Sequence, residues 1–202
     1  MKYNRSFYLG VGILLFFLFI AVFAPAISPH DPYELGKPYQ KPSAEHLLGT
    51  NDVGQDIFSE LLYGARVSLT IGIVSSLVIT VFGTGVGLIS AYFGGIWDNI
   101  LMKLTSVAMA IPSLPVAIVL AAYLDASIWN LIIAICITAW PSTARIVRSK
   151  TLELKELPYI KIEKTLGAGG ARIMLRHILP TLSEIVLTRT VLSISGAMLT
   201  EA

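Results

Sequence analysis

The chain has 202 residues, of which 54% are hydrophobic and only 14% are charged, and its mean hydropathy is +0.72. Soluble domains carry roughly a quarter charged residues, so this composition excludes an ordinary soluble protein and predicts an integral membrane protein. The single cysteine, Cys136, excludes a disulfide framework, and its place in an apolar run favours a small buried hydrophobe.

The first apolar run, Leu9–Ile27, is uncharged and follows Lys2 and Arg5. A helix of this length spans about 28 Å, close to the thickness of the hydrocarbon core. A cleaved signal peptide is the alternative, because Pro25 between two alanines mimics a small-x-small cleavage site. The length of the run and the spans that follow favour an uncleaved first span, so residues 1–27 are predicted to be a short cytoplasmic N-terminal stub and the first transmembrane helix.

A polar segment over residues 28–65 separates the first two apolar runs. It holds six acidic and two basic side chains, which fits the outer, periplasmic side of the membrane. Prolines keep its first part extended, and its second part predicts a turn followed by a short amphipathic helix. The face of that helix would carry Ile57, Phe58, Leu61 and Leu62.

The second span is predicted over residues 67–93, within a run that has no charge at all. Its small side chains would let helix backbones approach closely, so this helix should pack against other helices rather than lipid. The glycine-rich stretch at 83–87 is no phosphate-binding loop, because no Lys-Ser or Lys-Thr follows it. The small residues are Gly72, Ser75, Ser76, Thr80, Gly83, Thr84, Gly85 and Gly87.

The third span is predicted over residues 104–124 and is interrupted by Pro112 and Pro115. Two prolines three residues apart disrupt the helical hydrogen-bond ladder. They indicate either a plain kinked packing helix or a kink that lines a translocation path. The fourth span is predicted over residues 126–144, with a tryptophan near each end as an interfacial anchor.

The polar loop over residues 145–180 carries eight basic and three acidic side chains, which places it in the cytoplasm. Leucines and isoleucines alternate with the charges, and glycines close the run. This pattern predicts a basic amphipathic helix that docks against a partner. A helix lying on anionic lipid is the alternative.

The fifth span, over residues 181–200, contains Glu184 and Arg189. Five residues apart on a helix, these two side chains point about 140° apart and are poorly placed to pair. Glu184 can reach the cytoplasmic interface. A charge at the depth of Arg189 is costly, so it indicates a role in the bundle interior or pore, or else sequence drift in a damaged copy.

Four motifs of this chain are shared with a known family. They are HLLGTNDVGQD at 46–56 with LLYGARVSL at 61–69, IPSLP at 111–115, WPSTARIVR at 140–148, and the segment from Tyr159 through Gly167 to Pro180. The chain thereby resembles the inner-membrane permease subunit of binding-protein-dependent ATP-binding-cassette importers, in the dipeptide, oligopeptide and nickel branch. The resemblance covers nearly the whole chain, and Gly167 and Pro180 keep the spacing of the family's Glu-Ala-Ala loop.

The resemblance implies an all-α membrane protein, a polytopic helical bundle of the type I importer kind with about five of six spans present. It implies that the chain forms a heterodimer with a second permease subunit in the inner membrane. Two cytoplasmic ATP-binding subunits and an external substrate-binding protein would complete the importer. The chain itself would bind no cofactor and would not be an enzyme, since it has no Walker motif. Segment 157–170 would be the coupling helix, with contacts from Leu157, Tyr159, Ile160, Leu166, Gly167 and Ala168.

The chain departs from the family at several positions. Where the family usually has Glu-Ala-Ala, this chain has Lys161, Ile162 and Glu163. The family normally continues through a sixth span, so the chain is expected to be a C-terminally truncated permease, and an inactive fragment is the alternative. Its pore residues are generic small and apolar ones, which leaves peptides and nickel or metal chelates both open.

A membrane-embedded enzyme is disfavoured, because the predicted spans hold almost no catalytic side chains. His30, His46 and His177 are scattered along the sequence, so no metal site is predicted.

Overall fold

A computed structural model describes residues 5–112, 115, 116, 119, 123 and 127–201. Over these residues the regular secondary structure is helical, residues 28–56 are irregular, and there is no β-strand, only an isolated bridge between Thr50 and Asp56. The predicted all-α class is confirmed. The chain divides into two compact units, Met1–Thr70 and Ile71–Ala202.

Eight α-helices and one π-helical turn have bounds that the described residues define, and a few further helical residues lie between 115 and 123. In chain order they are α1 (Arg5–Ile27), α2 (Ile57–Phe93), α3 (Gly95–Ala110), α4 (Ile128–Leu154), α5 (Pro158–Thr165), α6 (Gly170–Ile173), the π turn (Met174–Ile178), α7 (Leu179–Thr181) and α8 (Ser183–Glu201).

Three of these helices, α1, α2 and α4, are long and apolar enough to cross a membrane. The pair Gly170–Thr181 and Ser183–Thr200, bent by 66°, makes a fourth if it counts as one span. Pro180 explains part of this irregularity, because it has no backbone N–H to bond the carbonyl one turn earlier and its ring crowds that carbonyl. The chain is therefore a multi-pass membrane protein.

The predicted third span, 104–124, is not one kinked helix. α3 ends at Ala110, and Ile111 is extended, with φ −84° and ψ 118°. The residue before a proline is disfavoured in the α region, so Pro112 ends the helix where a kink was predicted. Most of the remaining predicted span lies outside the described residues.

The first unit contains α1, the polar segment and the start of α2. Asp56 caps α2, because its Oδ2 accepts hydrogen bonds from the backbone N–H and the hydroxyl of Ser59 at 2.9 Å and 2.7 Å. From there α2 runs without a break for 37 residues. The short amphipathic helix predicted at its start is thus the first part of α2, and the domain boundary predicted at residue 65 falls inside a helix.

The second unit brings α2 and α4 into close contact. A Cβ atom added at Gly83 would lie 2.8 Å from Cβ of Thr143, and one added at Gly87 would lie 2.9 Å from the backbone nitrogen of Arg148. Both glycines lie on one face of α2, since four residues make about one turn. The predicted close packing of this span through small residues is confirmed.

Candidate functional site

The loop predicted to couple the chain to a partner contains a short capped helix. α5 begins after Leu157, has a proline in its first turn and ends at Thr165. Gly167 follows with φ +85°. Its N–H donates to the Lys164 carbonyl at 3.1 Å, and the Ala168 N–H donates to the Glu163 carbonyl at 3.0 Å. This is a Schellman cap, so the predicted role of Gly167 in ending the helix is confirmed.

The inner face of α5 packs into the core of the chain. Ile160 is 3% exposed and joins a cluster with residues of α2, α4 and the segment after α5, while Leu157 and Ala168 pack against that cluster. Ile160 was expected to contact a partner protein, but its burial gives it an anchoring role instead. The buried members are Leu88, Val147, Leu154, Ile160, Ile173, Met174, Ile178 and Leu182.

The outer face of the loop is apolar and open to solvent. Tyr159 is 43% exposed, Ile162 is 59% exposed and Leu166 is 77% exposed. Ile162 belongs to the unusual Lys-Ile-Glu triad, whose first two side chains point outward and therefore displace nothing inside this chain. Exposed apolar residues held on a rigid, buried base are typical of a protein-binding surface.

We expect Gly167→Ala to weaken the end of α5 and to increase amide exchange there. A non-glycine residue in the left-handed region costs about 1–2 kcal/mol, although the added methyl would meet open space. The matched control is Gly169→Ala, where the methyl also meets nothing within 4 Å but φ is −65°. Hydrogen exchange followed by mass spectrometry measures the effect, and equal exchange in both variants would contradict it.

One ion pair and two further hydrogen bonds from basic side chains hold the base of the loop. Arg148 of α4 donates from Nε and Nη2 to the two carboxylate oxygens of Asp98 in α3, each at 2.6 Å. One turn earlier, Arg145 donates from Nη2 to Ser106 Oγ at 3.0 Å, and Lys155 donates from Nζ to the Ala91 carbonyl near the end of α2 at 2.9 Å. The hydrogen bonds from Arg148 lower the pKa of Asp98 to about 2. Both arginines of the WPSTARIVR motif therefore tie α4 to α3.

We expect Asp98→Asn to lower the free energy of unfolding by about 1–2 kcal/mol, because Arg148 loses its carboxylate partner in a half-buried site. The coupling to Arg148→Met in a double-mutant cycle should be about 1 kcal/mol. The exposed pair Lys150 and Glu153 is the control, with coupling below about 0.5 kcal/mol. The free energy of unfolding is measured in mixed micelles at pH 7 for the parental protein, the two single variants and the double variant of each cycle.

The same ion pair predicts a pH dependence. The pKa of Asp98 falls from 3.8 to about 2 on folding, so its stabilisation is complete above about pH 4 and disappears as the pH falls towards 2. If the coupling energy of the Asp98–Arg148 double-mutant cycle is the same at pH 7 and at pH 2.5, the ion pair does not stabilise the fold in this way.

Arg189 lies in α8 and faces a cavity of about 250 Å³ between α2, α4 and α8. Its Nη2 donates to Ser142 Oγ at 2.8 Å, while its Nε is buried and has no hydrogen-bond partner within the described chain. Glu184 is exposed and forms no ion pair with Arg189 among the residues described. The cavity is lined by both apolar and hydroxyl side chains, including Ile79, Ile135, Thr138, Ser142 and Ser193.

The two prolines of the predicted pathway do not share this cavity. Pro112 follows α3, Pro115 is helical, and both are exposed. Neither residue is among those lining the Arg189 cavity in the described part of the chain.

The sequence reasoning missed one cluster, formed by His30, His46 and Asp56 in the first unit. The two histidines stand 16 positions apart in an irregular segment, where no helical or strand periodicity links distant positions. The histidines are far apart in the sequence, but the fold of residues 28–56 brings His30 and His46 together.

Comparisons with known proteins agree on one family. The family model described as "Binding-protein-dependent transport system inner membrane component" matches residues 83–202. A second model, "N-terminal TM domain of oligopeptide transport permease C", matches residues 1–48.

Curated relatives match along almost the entire chain. The dipeptide transport system permease protein of Haemophilus influenzae is 35% identical over 98% of this chain and 70% of its own length. The oligopeptide transport system permease protein of Bacillus subtilis is 35% identical over 98% of this chain and 66% of its own. The glutathione transport system permease protein of Pectobacterium atrosepticum is 38% identical over 88% of this chain and 60% of its own. The chain thus spans about two thirds of the length of these relatives.

Proposed function

Because the chain belongs to the family of inner membrane components of binding-protein-dependent transport systems, we propose that it is the permease subunit of an ATP-driven importer of di- or oligopeptides. The observation that carries this proposal is the open apolar face of α5 on a buried base. Relatives named for dipeptide, oligopeptide and glutathione transport support a peptide as the substrate class.

In this proposal the loop couples the chain to a cytoplasmic ATPase. Tyr159, Ile162 and Leu166 enter a cleft on that subunit, and the fixed cap at Gly167 sets their orientation. Burial of three apolar side chains of this size contributes about 1.5–3 kcal/mol each. ATP binding and hydrolysis take place on the partner, so this chain supplies no catalytic residue.

The partners follow from the same proposal. They are a second permease subunit, two ATP-binding subunits and an external substrate-binding protein. The N-terminus then lies in the cytoplasm, which places the polar segment 28–65 outside and the basic loop 145–180 inside, in agreement with the charge bias of the two segments.

The cavity at Arg189 is proposed to form part of the translocation path. It combines a guanidinium, hydroxyl groups and apolar walls. A peptide offers a carboxylate and backbone carbonyls to such a lining, which donates hydrogen bonds without a single fixed geometry.

Uptake in cells tests the substrate class. The chromosomal gene is deleted and then restored, and entry of a radiolabelled dipeptide and of radioactive nickel is measured in each strain. Peptide uptake that depends on the gene supports the proposal. If only nickel uptake depends on the gene, nickel and not a peptide is the substrate. If deletion of the gene changes the uptake of neither compound, the transport assignment is overturned.

A further inference from the structure

Two histidines and one aspartate converge in the polar segment between α1 and α2. One nitrogen of each of His30 and His46 and a carboxylate oxygen of Asp56 all lie within 4.8 Å of one another. The imidazole rings of His30 and His46 are 4.8 Å apart between centroids and inclined by 33°. Nδ1 of His46 lies 3.0 Å from Oδ1 of Asp56.

The carboxylate of the cluster is buried, and its two imidazoles are partly buried. The side chain of Asp56 is 1% exposed and that of His46 is 14% exposed. Nδ1 of His30 is buried and has no hydrogen-bond partner within the described residues. A buried imidazole nitrogen without a partner is unusual, because burial removes the hydrogen bond that water would supply.

We propose that His30, His46 and Asp56 bind a divalent transition-metal ion, with Zn²⁺ as the representative occupant. Two imidazoles and one carboxylate are a common ligand set for such ions, and a water molecule can take the fourth position. Ca²⁺ and Mg²⁺ prefer shells made only of oxygen, so they do not match this set. This inference is independent of the proposed transport function.

The spacing of the ligand atoms suits such an ion. Zn–N and Zn–O bonds of about 2.0–2.2 Å place tetrahedral ligand atoms about 3.3 Å apart. The distance of 3.0 Å between Nδ1 of His46 and Oδ1 of Asp56 is already close to that value. The side chain of His30 is therefore the one that must move closer to complete the site. That residue lies outside any helix, where a side chain can reorient without disturbing a hydrogen-bond ladder.

The surroundings favour a cation. Asp31, Glu34 and Glu45 line the same hollow of about 340 Å³, together with a single lysine, Lys37. This excess of negative charge raises the local concentration of cations, and the hollow has room for a water ligand. Asp56 keeps its role as helix cap, because its Oδ2 bonds Ser59 while its Oδ1 faces the histidines.

A metal at this position would join the two ends of the polar segment between α1 and α2. His30 lies three residues after α1, and Asp56 directly precedes α2. The ion would therefore close the loop of polar residues between these helices. Closing a loop of this length restricts the unfolded chain and so stabilises the folded segment.

Zinc titration of the purified chain tests the proposal. The protein carries a tag without histidine and the substitution Cys136→Ser, which removes the sole thiol. In detergent, Zn²⁺ is titrated against a chromogenic chelator. We expect one Zn²⁺ per chain, a loss of affinity of at least tenfold in His30→Ala, and no response to Ca²⁺.

The third histidine supplies the matched control. His177→Ala removes the same side chain from the π turn, outside the cluster, and should change the affinity less than twofold. Equal affinities in His30→Ala and His177→Ala, or no zinc bound by the parental chain, would overturn the site. If His30→Ala cannot be purified, zinc-edge X-ray absorption of the parental protein decides. A spectrum with two imidazole ligands on the zinc supports the site, and a spectrum without imidazole ligands refutes it.

Discussion

Leu166→Asp, introduced into the chromosomal gene, will lower peptide uptake at least tenfold while the protein remains in the membrane at its normal level. Leu166 is 77% exposed and follows the last turn of α5, so the change costs this chain little. In the proposed complex the same side chain enters an apolar cleft on the ATPase. A carboxylate that loses its water there costs well over the 1.4 kcal/mol that corresponds to a tenfold loss of binding.

The adjacent residue provides the control for this variant. Thr165 is exposed, and Thr165→Asp adds the same charge one position earlier without removing an apolar contact. An acidic side chain near a helix C-terminus costs about 0.3–1 kcal/mol, so uptake should fall less than twofold. Normal uptake in Leu166→Asp at a normal membrane level would contradict the coupling role of this surface.

Co-purification separates coupling from folding. The ATP-binding subunits should be recovered with the parental permease and with Thr165→Asp, and their recovery should fall at least tenfold with Leu166→Asp. If the ATPases are recovered equally with all three proteins while uptake is lost, Leu166 acts after assembly rather than in docking.

The second large effect is expected at the contact between α2 and α4. Gly87→Val should reduce the amount of protein in the membrane at least fivefold. A Cβ atom at this position would lie 2.9 Å from the backbone nitrogen of Arg148 and 2.9 Å from Cβ of Val147. Backbone atoms cannot rotate away, so the helices must separate, and overpacking of this kind costs about 1–3 kcal/mol.

Gly85→Val is the matched control on the same helix. It introduces the same β-branched side chain two positions away, where an added Cβ meets nothing within 4 Å. Both substitutions have the same helix propensity, so their difference isolates the contact with α4. Immunoblots of membrane fractions measure the levels, and equal accumulation of the two variants would show that the helices do not pack through Gly87.

The structure suggests how a force on α5 reaches the membrane. α4 continues ten residues past its predicted end at residue 144, and only Lys155–Leu157 separate it from α5. Leu154 of α4 and Ile160 of α5 belong to the same buried cluster. Movement of α5 by a partner would therefore carry the end of α4 with it, because a densely packed cluster transmits displacement.

The fold accommodates the unusual triad at residues 161–163 because its first two side chains lie on the surface. Lys161 and Ile162 are exposed, and Lys161 forms an ion pair with Glu156 at 2.8 Å. Larger side chains there create no internal overlap and instead change the surface offered to a partner. If this face docks on an ATPase as proposed, we expect compensating changes in the cleft of that subunit, since the face proposed to dock is the face that differs.

The sequence alone was sufficient for the class of protein and for the end of α5. Apolar length, charge bias and a glycine at the end of a helical pattern are local properties that need no information on tertiary contacts. It was less successful at helix boundaries. α4 extends through Arg145 and Arg148 because their head groups find partners on α3, and a sequence window cannot register those partners.

Tertiary structure decided which side of each element faces inward. Ile160 and Leu166 are both large apolar residues of one short loop, yet one is buried and the other is exposed. Hydrophobic periodicity over eight residues cannot separate an anchoring face from a docking face, because both are apolar. The same holds for His30, His46 and Asp56: an irregular segment has no repeating geometry, so only the folded path of the chain brings them together.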